Sequence, residues 1–207
     1  MRTANSPSRR LVLASASPNR LAILESCGIN PEVMSADIDE QPFSGEGSVE
    51  LTTRLANAKC EKIVSCLTGP NNEGTDVVVA ADTVVESRNL VLGKPQSRDD
   101  AYEMLTGLSD KTHKVISGVA VGSGGSISVG HAITSVTFRK LGKIEIDDYL
   151  DSGDYKGKAG AYGIQGIASV FVDHIVGSHQ NVVGLPTHVV EQLLSASGLS
   201  LFDWRLE

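Results

Sequence analysis

One carboxylate interrupts a strongly apolar, mostly β-branched run. The run covers residues 77–85, and Asp82 is its only charged residue. Such a run is typical of a strand that is buried on both faces. An ionised carboxylate is costly there unless a cation, a metal ion or several hydrogen-bond donors meet it. From this run alone, a catalytic Asp82 and a carboxylate held by a structural partner at a strand end are equally good interpretations.

A second group of candidate residues surrounds a predicted strand-to-helix turn. The pattern predicts a short strand at residues 11–15 and a helix over residues 21–27, with Ser17 as its N-cap. A turn of this kind directs backbone N–H groups at whatever lies above it, which suits phosphate. Ser15, Ser17 and Arg20 would then surround one point. The alternative is a structural turn that binds nothing.

Further carboxylates follow the second predicted strand, which covers residues 31–38. Asp37, Asp39 and Glu40 are hard oxygen ligands of the kind that Mg²⁺ prefers. The alternative is an ordinary solvated loop. The sequence therefore indicates a candidate metal site without establishing one.

Two lysines are placed by predicted elements. A helix from Ser48 to about residue 67 carries Lys59 beside its apolar stripe, where an ordinary exposed lysine is the default interpretation. A hairpin centred near Ser87 or Arg88 would bring residue 93 or 94 opposite Asp82, and so Lys94 close to it. A register slip of one residue would turn Lys94 to the other face.

A glycine-punctuated stretch covers residues 151–166. Repeated glycine permits positive φ and a close approach of the backbone to a ligand. Gln165 lies within it, and its amide can donate and accept at once, which suits reading the edge of a base. The alternative is a tight structural loop in which Tyr162 is the packing anchor.

These residues are expected to lie in one α/β domain. A helix opened by Ser97, a long hairpin of residues 111–121 and 127–140, a helix at 144–150 and a closing unit at 167–197 complete the predicted elements. We expect a single compact two-lobed domain around a mixed β-sheet at residues 10–207, preceded by a flexible arm at residues 1–9.

Composition excludes several classes of protein. The net charge of −7 argues against a non-specific nucleic-acid binder, and no apolar run is long enough for a membrane span, so we expect a cytoplasmic protein. The three cysteines lack CxxC spacing and are predicted to be free thiols in cores. P-loop, Rossmann, HExxH and GxSxG motifs are absent from the sequence. Carboxylates, lysines, an arginine and a glycine loop remain, which are the parts of a metal-assisted phosphoryl or nucleotidyl site.

Several separated motifs together resemble one family. They occur in order at residues 11–20, 37–40, 81–85, 93–95, 158–166 and 183–186. The chain is similar, over residues 10–197, to the Maf family of nucleoside triphosphate pyrophosphatases, also called septum-formation proteins. The resemblance implies a fold like that of inosine triphosphate pyrophosphatases. It also implies hydrolysis of a nucleoside triphosphate to the monophosphate and pyrophosphate with a divalent cation, Mg²⁺ or Mn²⁺.

The resemblance also implies roles for individual residues. Asp82 matches the family's proton acceptor, and Glu40 looks like its acidic partner at the metal. Arg20, Lys59 and Lys94 match the cations around the phosphates. Ser15 and Ser17 match the small polar loop beneath the phosphates.

The glycine loop looks like that of the branch of the family that acts on dTTP and UTP. Residues 160–166 read Gly-Ala-Tyr-Gly-Ile-Gln-Gly, and Thr83 and Gln165 fall at specificity positions. Asn19 replaces the first arginine of the usual Ser-Pro-Arg-Arg, at a position that is also linked with specificity. The alternatives are the same reaction on 7-methyl-GTP or another nucleotide, or a non-catalytic nucleotide-binding regulator of septation. The expected partner is a nucleoside triphosphate, and neither a nucleic acid nor a membrane is expected. A homodimer is one possible state of assembly.

Overall fold

A computed structural model describes residues 9–68 and 76–206 of the chain. The arm predicted at residues 1–9 therefore falls almost wholly outside the described residues. In the described part, the strands are β1 (Leu11–Leu13), β2 (Glu32–Val33), β3 (Val77–Ser87), β4 (Leu90–Leu92), β5 (Thr112–Ser123), β6 (Ser126–Phe138) and β7 (Val172–Val176). The α-helices are α1 (Pro18–Ser26), α2 (Ser48–Leu67), α3 (Arg98–Leu108), α4 (Lys143–Asp151), α5 (His179–Val183) and α6 (Thr187–Ser195).

The strands form one mixed sheet, as predicted. Its order is β2-β1-β3-β5-β6-β7, and β4 pairs with β3 outside this path. β1 is parallel to β2 and β3, whereas the other pairs are antiparallel. β5 follows one edge of β3 from Val78 to Glu86. On the other edge β1 covers residues 77–79 and β4 covers 85–87, so no described strand pairs with residues 80–84 there.

Apolar clusters lie on both faces of the sheet. On one face α2 covers the central strands along their length, through residues such as Leu55 and Ile63. The opposite face carries two separate clusters. One joins β1, α1 and α6 to the sheet, and the other joins α3, α4 and the glycine loop to it. The two lobes predicted from the sequence correspond to these clusters.

A glycine sets how closely α2 approaches the sheet. Gly118 of β5 pairs with Asp82 of β3, and a Cβ on Gly118 would lie only 2.3 Å from the carbonyl carbon and oxygen of Thr52. Real Cβ atoms do not come so close to backbone, so α2 rests directly on the peptide of Gly118. Because paired residues share a face of the sheet, this contact brings α2 beside the carboxylate of Asp82.

The register of the β3–β4 hairpin differs from the prediction. The hairpin turns at Arg88 and Asn89, both with positive φ, and pairs Val85 with Leu92. Lys94 therefore does not lie opposite Asp82 in the sheet, because β4 ends at Leu92. The turn is centred between Arg88 and Asn89, about one residue later than predicted. The alternating pattern of the strands does not indicate which residues adopt the positive φ values of the turn.

Other boundaries were predicted with smaller errors. The second strand is limited to Glu32–Val33, and α2 has Gly47 as its N-cap while Ser48 is its first residue. Cys60 is buried, but Cys27 and Cys66 are exposed, so the expectation of core thiols is wrong for those two. In the described residues, no helix is both long and apolar enough to cross a bilayer.

Candidate active site

Asp82 lies at the opening in the sheet. It belongs to the segment of β3 that has no strand partner on one edge, between the ends of β1 and β4. Its side chain points to the α2 face and is almost fully buried. Oδ1 accepts a hydrogen bond from Lys59 Nζ at 2.7 Å. An opening where neighbouring strands diverge is where α/β sheets commonly bind ligands.

Lys59 joins two carboxylates. Its Nζ lies 2.7 Å from Asp82 Oδ1 and 2.6 Å from Glu40 Oε1. The side chain is on the buried stripe of α2 and is only 8% exposed, so the interpretation as an ordinary exposed lysine is wrong. The ammonium keeps both carboxylates in one place and offsets the desolvation of Asp82.

Glu40 completes this ion-pair group from the loop that precedes α2. Burial by itself raises the pKa of the Glu40 carboxyl, but the hydrogen bond from Lys59 and the charges of Lys59, Lys94 and Arg20 outweigh it. The pKa is therefore lowered from its ordinary value, and the carboxylate is ionised at neutral pH. The charge of the exposed Lys94 also lowers the pKa of the Glu40 carboxyl, although Lys94 is not opposite Asp82 in the sheet.

Arg20 approaches from the first turn of α1. Its Nε donates to the carbonyl of Gly184 at 2.8 Å, Nη1 to Ser15 Oγ at 3.1 Å and Nη2 to Thr83 Oγ1 at 3.2 Å. Burial lowers the pKa of the guanidinium, while the charges of Asp82 and Glu40 raise it, with a net decrease. Arginine remains charged at neutral pH despite such a decrease.

A buried polar network supports Arg20 from the face opposite α2. Thr83 Oγ1 lies 2.8 Å from Ser117 Oγ, and Ser117 Oγ donates to the carbonyl of Asn181 at 3.3 Å. Neither Ser117 nor Asn181 is predicted from the sequence as a site residue. Their signal is weak, because a serine in a strand or an asparagine in a short helix has no local pattern that marks it as part of a site.

For the remaining residues of the strand-to-helix turn, Ser17 and Asn19, the described part of the chain offers no side-chain hydrogen bond. Ser17 is the N-cap of α1 by position, but its side chain makes no capping hydrogen bond. Its backbone N–H donates to Ser15 Oγ at 3.1 Å. Asn19 is half-buried in the first turn of α1, one residue before Arg20.

The glycine loop is anchored beside Lys94. The N–H of Gly160, a residue with φ of +67°, donates to the carbonyl of Gly93 at 3.0 Å. Tyr162 is buried, so the interpretation of this residue as a packing anchor is confirmed. Gln165 is exposed in the following turn, and in the described part of the chain its side chain has no hydrogen-bond partner. The structure thus presents Gln165 at the surface without bringing it into the hydrogen-bonded group around Arg20 and Asp82.

The donor set of the site fits a divalent cation. Asp82 and Glu40 converge on one ammonium, and each keeps a second carboxylate oxygen. Nowhere in residues 9–68 and 76–206 do three or more His, Cys, Asp or Glu side chains gather in a way that could hold a metal ion. Mg²⁺ usually takes one or two carboxylates, with water and substrate phosphates completing its shell. The pair therefore fits Mg²⁺ or Mn²⁺ bound together with a phosphorylated substrate.

Comparison with known proteins gives consistent matches. The family described as Maf-like protein matches residues 10–197. A dTTP/UTP pyrophosphatase of Chromobacterium violaceum is 45% identical, covering 93% of this chain and 96% of that protein. The dTTP/UTP pyrophosphatase of Mesorhizobium japonicum is 40% identical, covering 93% and 94%. That of Bartonella quintana is 44% identical, covering 90% and 86%. A solved structure from Vibrio cholerae aligns over 70% of both chains at 12% identity with a TM-score of 0.36.

Proposed function

The chain belongs to the Maf family, and we propose that it hydrolyses dTTP and UTP to the nucleoside monophosphate and pyrophosphate. The observation that carries the proposal is the group of Asp82, Lys59 and Glu40 at the opening of the sheet, with Arg20 beside it. Relatives that are 40% to 45% identical over most of the chain are dTTP/UTP pyrophosphatases. We expect a house-cleaning role in nucleotide metabolism.

Cationic side chains would bind the triphosphate. The charges of Arg20, Lys59 and Lys94 each lower the pKa of the Glu40 carboxyl, which supports their sharing one anionic ligand. The turn into α1 adds backbone N–H groups at a helix N-terminus, where an anion is favoured. These contacts give affinity and orient the phosphates, but they carry no information about the base.

Asp82 would act as the general base. Lys59 fixes the Asp82 carboxylate through Oδ1, and this carboxylate would receive a proton from the attacking water. The oxygen of that water forms a bond to the α-phosphorus. The bond from the α-phosphorus to the bridging oxygen breaks, and its electron pair leaves with pyrophosphate. Arg20, Lys59 and Lys94 would stabilise the charge that develops on this leaving group.

The divalent cation is part of the proposal. Asp82 and Glu40 would hold Mg²⁺ or Mn²⁺, which supplies neutralisation of the phosphate charge when bound. Lys59 has a second role in this arrangement, because it limits the repulsion between two carboxylates that must lie close together.

The base would be read at the glycine loop. A uracil or thymine edge offers one N–H between two carbonyl groups, and the amide of Gln165 can pair with one donor and one acceptor on it. The side chain of Gln165 is exposed and has no hydrogen-bond partner among the described residues, which supports such a contact. Thr83 and Asn19 are proposed to modify the preference from the side of Arg20.

The test is an assay of pyrophosphate release from UTP, dTTP, CTP, GTP and 7-methyl-GTP, with Mg²⁺, with Mn²⁺ and with a chelator. We expect UTP and dTTP to be the best substrates and the chelator to abolish turnover.

Asp82→Asn keeps the shape of the side chain and loses its charge, so kcat should fall at least a hundredfold while the fold persists. Tight nucleotide binding without release of pyrophosphate would instead favour a regulator that binds nucleotides.

A further inference from the structure

Arg54 is a charged residue of α2 that the proposed reaction does not use. Its guanidinium forms a two-point contact with Glu46, with Nε 2.5 Å from Oε1 and Nη2 2.7 Å from Oε2. The Glu46 side chain is only 8% exposed, so this contact is not an ordinary surface ion pair. Planar two-point pairs of this type fix orientation as well as charge.

The same guanidinium holds two further points of the loop before α2. Nη2 donates to the carbonyl of Gln41 at 3.1 Å, and the guanidinium carbon lies 4.0 Å from the centroid of the Phe43 ring. Glu46 in turn accepts from the N–H of Phe43 at 3.0 Å. Gln41, Phe43 and Glu46 are therefore arranged around one side chain.

The loop needs such a support because it carries Glu40. No strand or helix is present between Val33 and Ser48, and the Glu40 side chain is half exposed. Gln41 directly follows Glu40, so holding its carbonyl restricts the backbone from which the carboxylate extends. Lys59, five residues after Arg54 on the same helix, holds the carboxylate itself. The helix α2 thus contacts both the backbone that directly follows Glu40 and the Glu40 carboxylate.

We propose that Arg54 is a positioning residue of the active site, which holds the loop of residues 41–46 so that the Glu40 carboxylate stays against Lys59 and Asp82. The inference rests on the proposed function for its catalytic consequence. Lysine cannot replace Arg54 in this role, because an ammonium offers neither the two-point contact with Glu46 nor the planar stack on Phe43. Outer residues that orient ligands of a metal typically change its affinity or the activity by 10- to 100-fold.

The experiment combines Arg54 with Glu40. Arg54→Lys and Arg54→Gln are made in the wild type and in Glu40→Gln, with Arg98→Gln as the matched control. Arg98 also pairs with carboxylates, Asp147 and Asp151, but these belong to α4 and not to the loop before α2. In the wild type, both Arg54 variants should raise the Mg²⁺ concentration for half-maximal turnover of UTP by about tenfold. In the Glu40→Gln background, the Arg54 substitutions should alter this Mg²⁺ concentration by less than about twofold, because the carboxylate that Arg54 is proposed to position is absent. Equal effects in both backgrounds, or none in the wild type, would overturn the proposal.

A second measurement does not depend on catalysis. Amide hydrogen exchange of residues 39–47 should become at least tenfold faster in Arg54→Lys and Arg54→Gln, and stay unchanged in Arg98→Gln. Unchanged exchange in the Arg54 variants would show that the loop does not depend on Arg54. If no nucleotide is hydrolysed even by the wild type, the proposed function fails, whereas the exchange result still decides whether Arg54 holds the loop.

Discussion

At the scale of single residues, the site depends on one ammonium between two carboxylates. Lys59 carries one positive charge, and Asp82 and Glu40 carry two negative charges, so the group as a whole remains anionic. That balance suits a site that binds a divalent cation with a polyphosphate, because each charged component offsets another. It also explains why a lysine can be buried on a helix whose neighbouring lysine, Lys62, is exposed.

Replacing Lys59 should therefore affect both stability and turnover. Lys59→Gln leaves Asp82 buried without its cation, which typically costs about 3 kcal/mol. We expect the free energy of unfolding to fall by about that amount and kcat/KM for UTP to fall at least a hundredfold. Urea unfolding and the pyrophosphate assay measure the two effects. Lys62→Gln, on the exposed side of the same helix, is the control and should change neither.

The proposal gives reading of the base to Gln165, so replacing this residue should separate base preference from catalysis. In the proposed complex the base buries its edge against Gln165, and a group left unpaired there costs about 1–3 kcal/mol, so Gln165→Ala should lower kcat/KM for UTP and dTTP by about 10- to 100-fold. Activity on CTP and GTP should fall much less. Asn19→Arg is the companion variant, expected to shift the ratio of UTP to CTP without abolishing turnover. An equal loss on all four nucleotides would mean that Gln165 shapes the loop and does not read the base.

At the scale of elements, the sequence predicted what local patterns encode. The long helix α2 and the β5–β6 hairpin around Gly124 and Gly125 follow from periodicity and turn residues, and both are present. The hairpin of β3 and β4 was placed out of register, because no local signal fixes where a turn is centred when its residues are Arg88 and Asn89. The presence of these elements could be predicted from local patterns. The register of the β3–β4 hairpin could not, because it depends on tertiary contacts.

The same division holds for the site. Asp82 and Arg20 could be found from a carboxylate in an apolar run and a strand-to-helix turn. Ser117, Asn181 and Arg54 could not, because their roles come from contacts with residues 34, 66 and 8 positions away along the chain. Burial of Lys59 likewise depends on how closely α2 approaches the sheet.

The distance between α2 and the sheet is set at Gly118, so a substitution there should affect the whole helix. Gly118→Ala would place a Cβ 2.3 Å from the backbone of Thr52, so α2 must move away and carry Lys59 with it. We expect a loss of several kcal/mol in the free energy of unfolding and a large loss of turnover. The added methyl group would meet backbone atoms, so no flexible side chain can move to relieve the clash. Gly107→Ala is the control: this glycine lies in α3 with nothing within 4 Å of an added Cβ. Its replacement should stabilise by up to about 1 kcal/mol.

At the scale of the whole molecule, two apolar clusters share the same three long strands. On the face opposite α2, polar side chains of Thr83, Ser117, Thr134 and Asn181 lie between the cluster of α1 and α6 and that of α3 and α4. The opening at the edge of β3 is at this level, with Arg20 and Thr83 on the face of the two clusters and Asp82 and Lys59 on the α2 face. Arg20 and Lys59 thus place two cations at this level of the sheet, although the chain as a whole has a net charge of −7.

The cluster of α3 and α4 contains a buried histidine that should govern part of the acid sensitivity of the molecule. His113 packs edge-on against Phe138 and Tyr162, and its Nε2 lies 2.8 Å from Tyr162 Oη. Burial lowers the pKa of His113 from 6.5 to about 4. As the pH falls below 6.5, the unfolded chain binds a proton at this residue that the folded chain does not bind until about pH 4. Its contribution to stability is therefore complete above pH 6.5 and is lost progressively between pH 6.5 and 4.

His113→Gln should make the free energy of unfolding less dependent on pH in that window. At about 1.4 kcal/mol for each pKa unit, the wild type should lose roughly 3 kcal/mol more than the variant between pH 6.5 and 4. Urea unfolding at half-unit steps of pH measures this, and the loss of carboxylate interactions in acid cancels because both proteins share it. His131→Gln, which changes an exposed histidine on β6, controls for the general effect of removing an imidazole. If the curve of His113→Gln runs parallel to that of the wild type from pH 6.5 to 4, the folded protein takes up a proton at His113 as readily as the unfolded chain does. The burial of this ring would then have no part in the acid sensitivity of the fold.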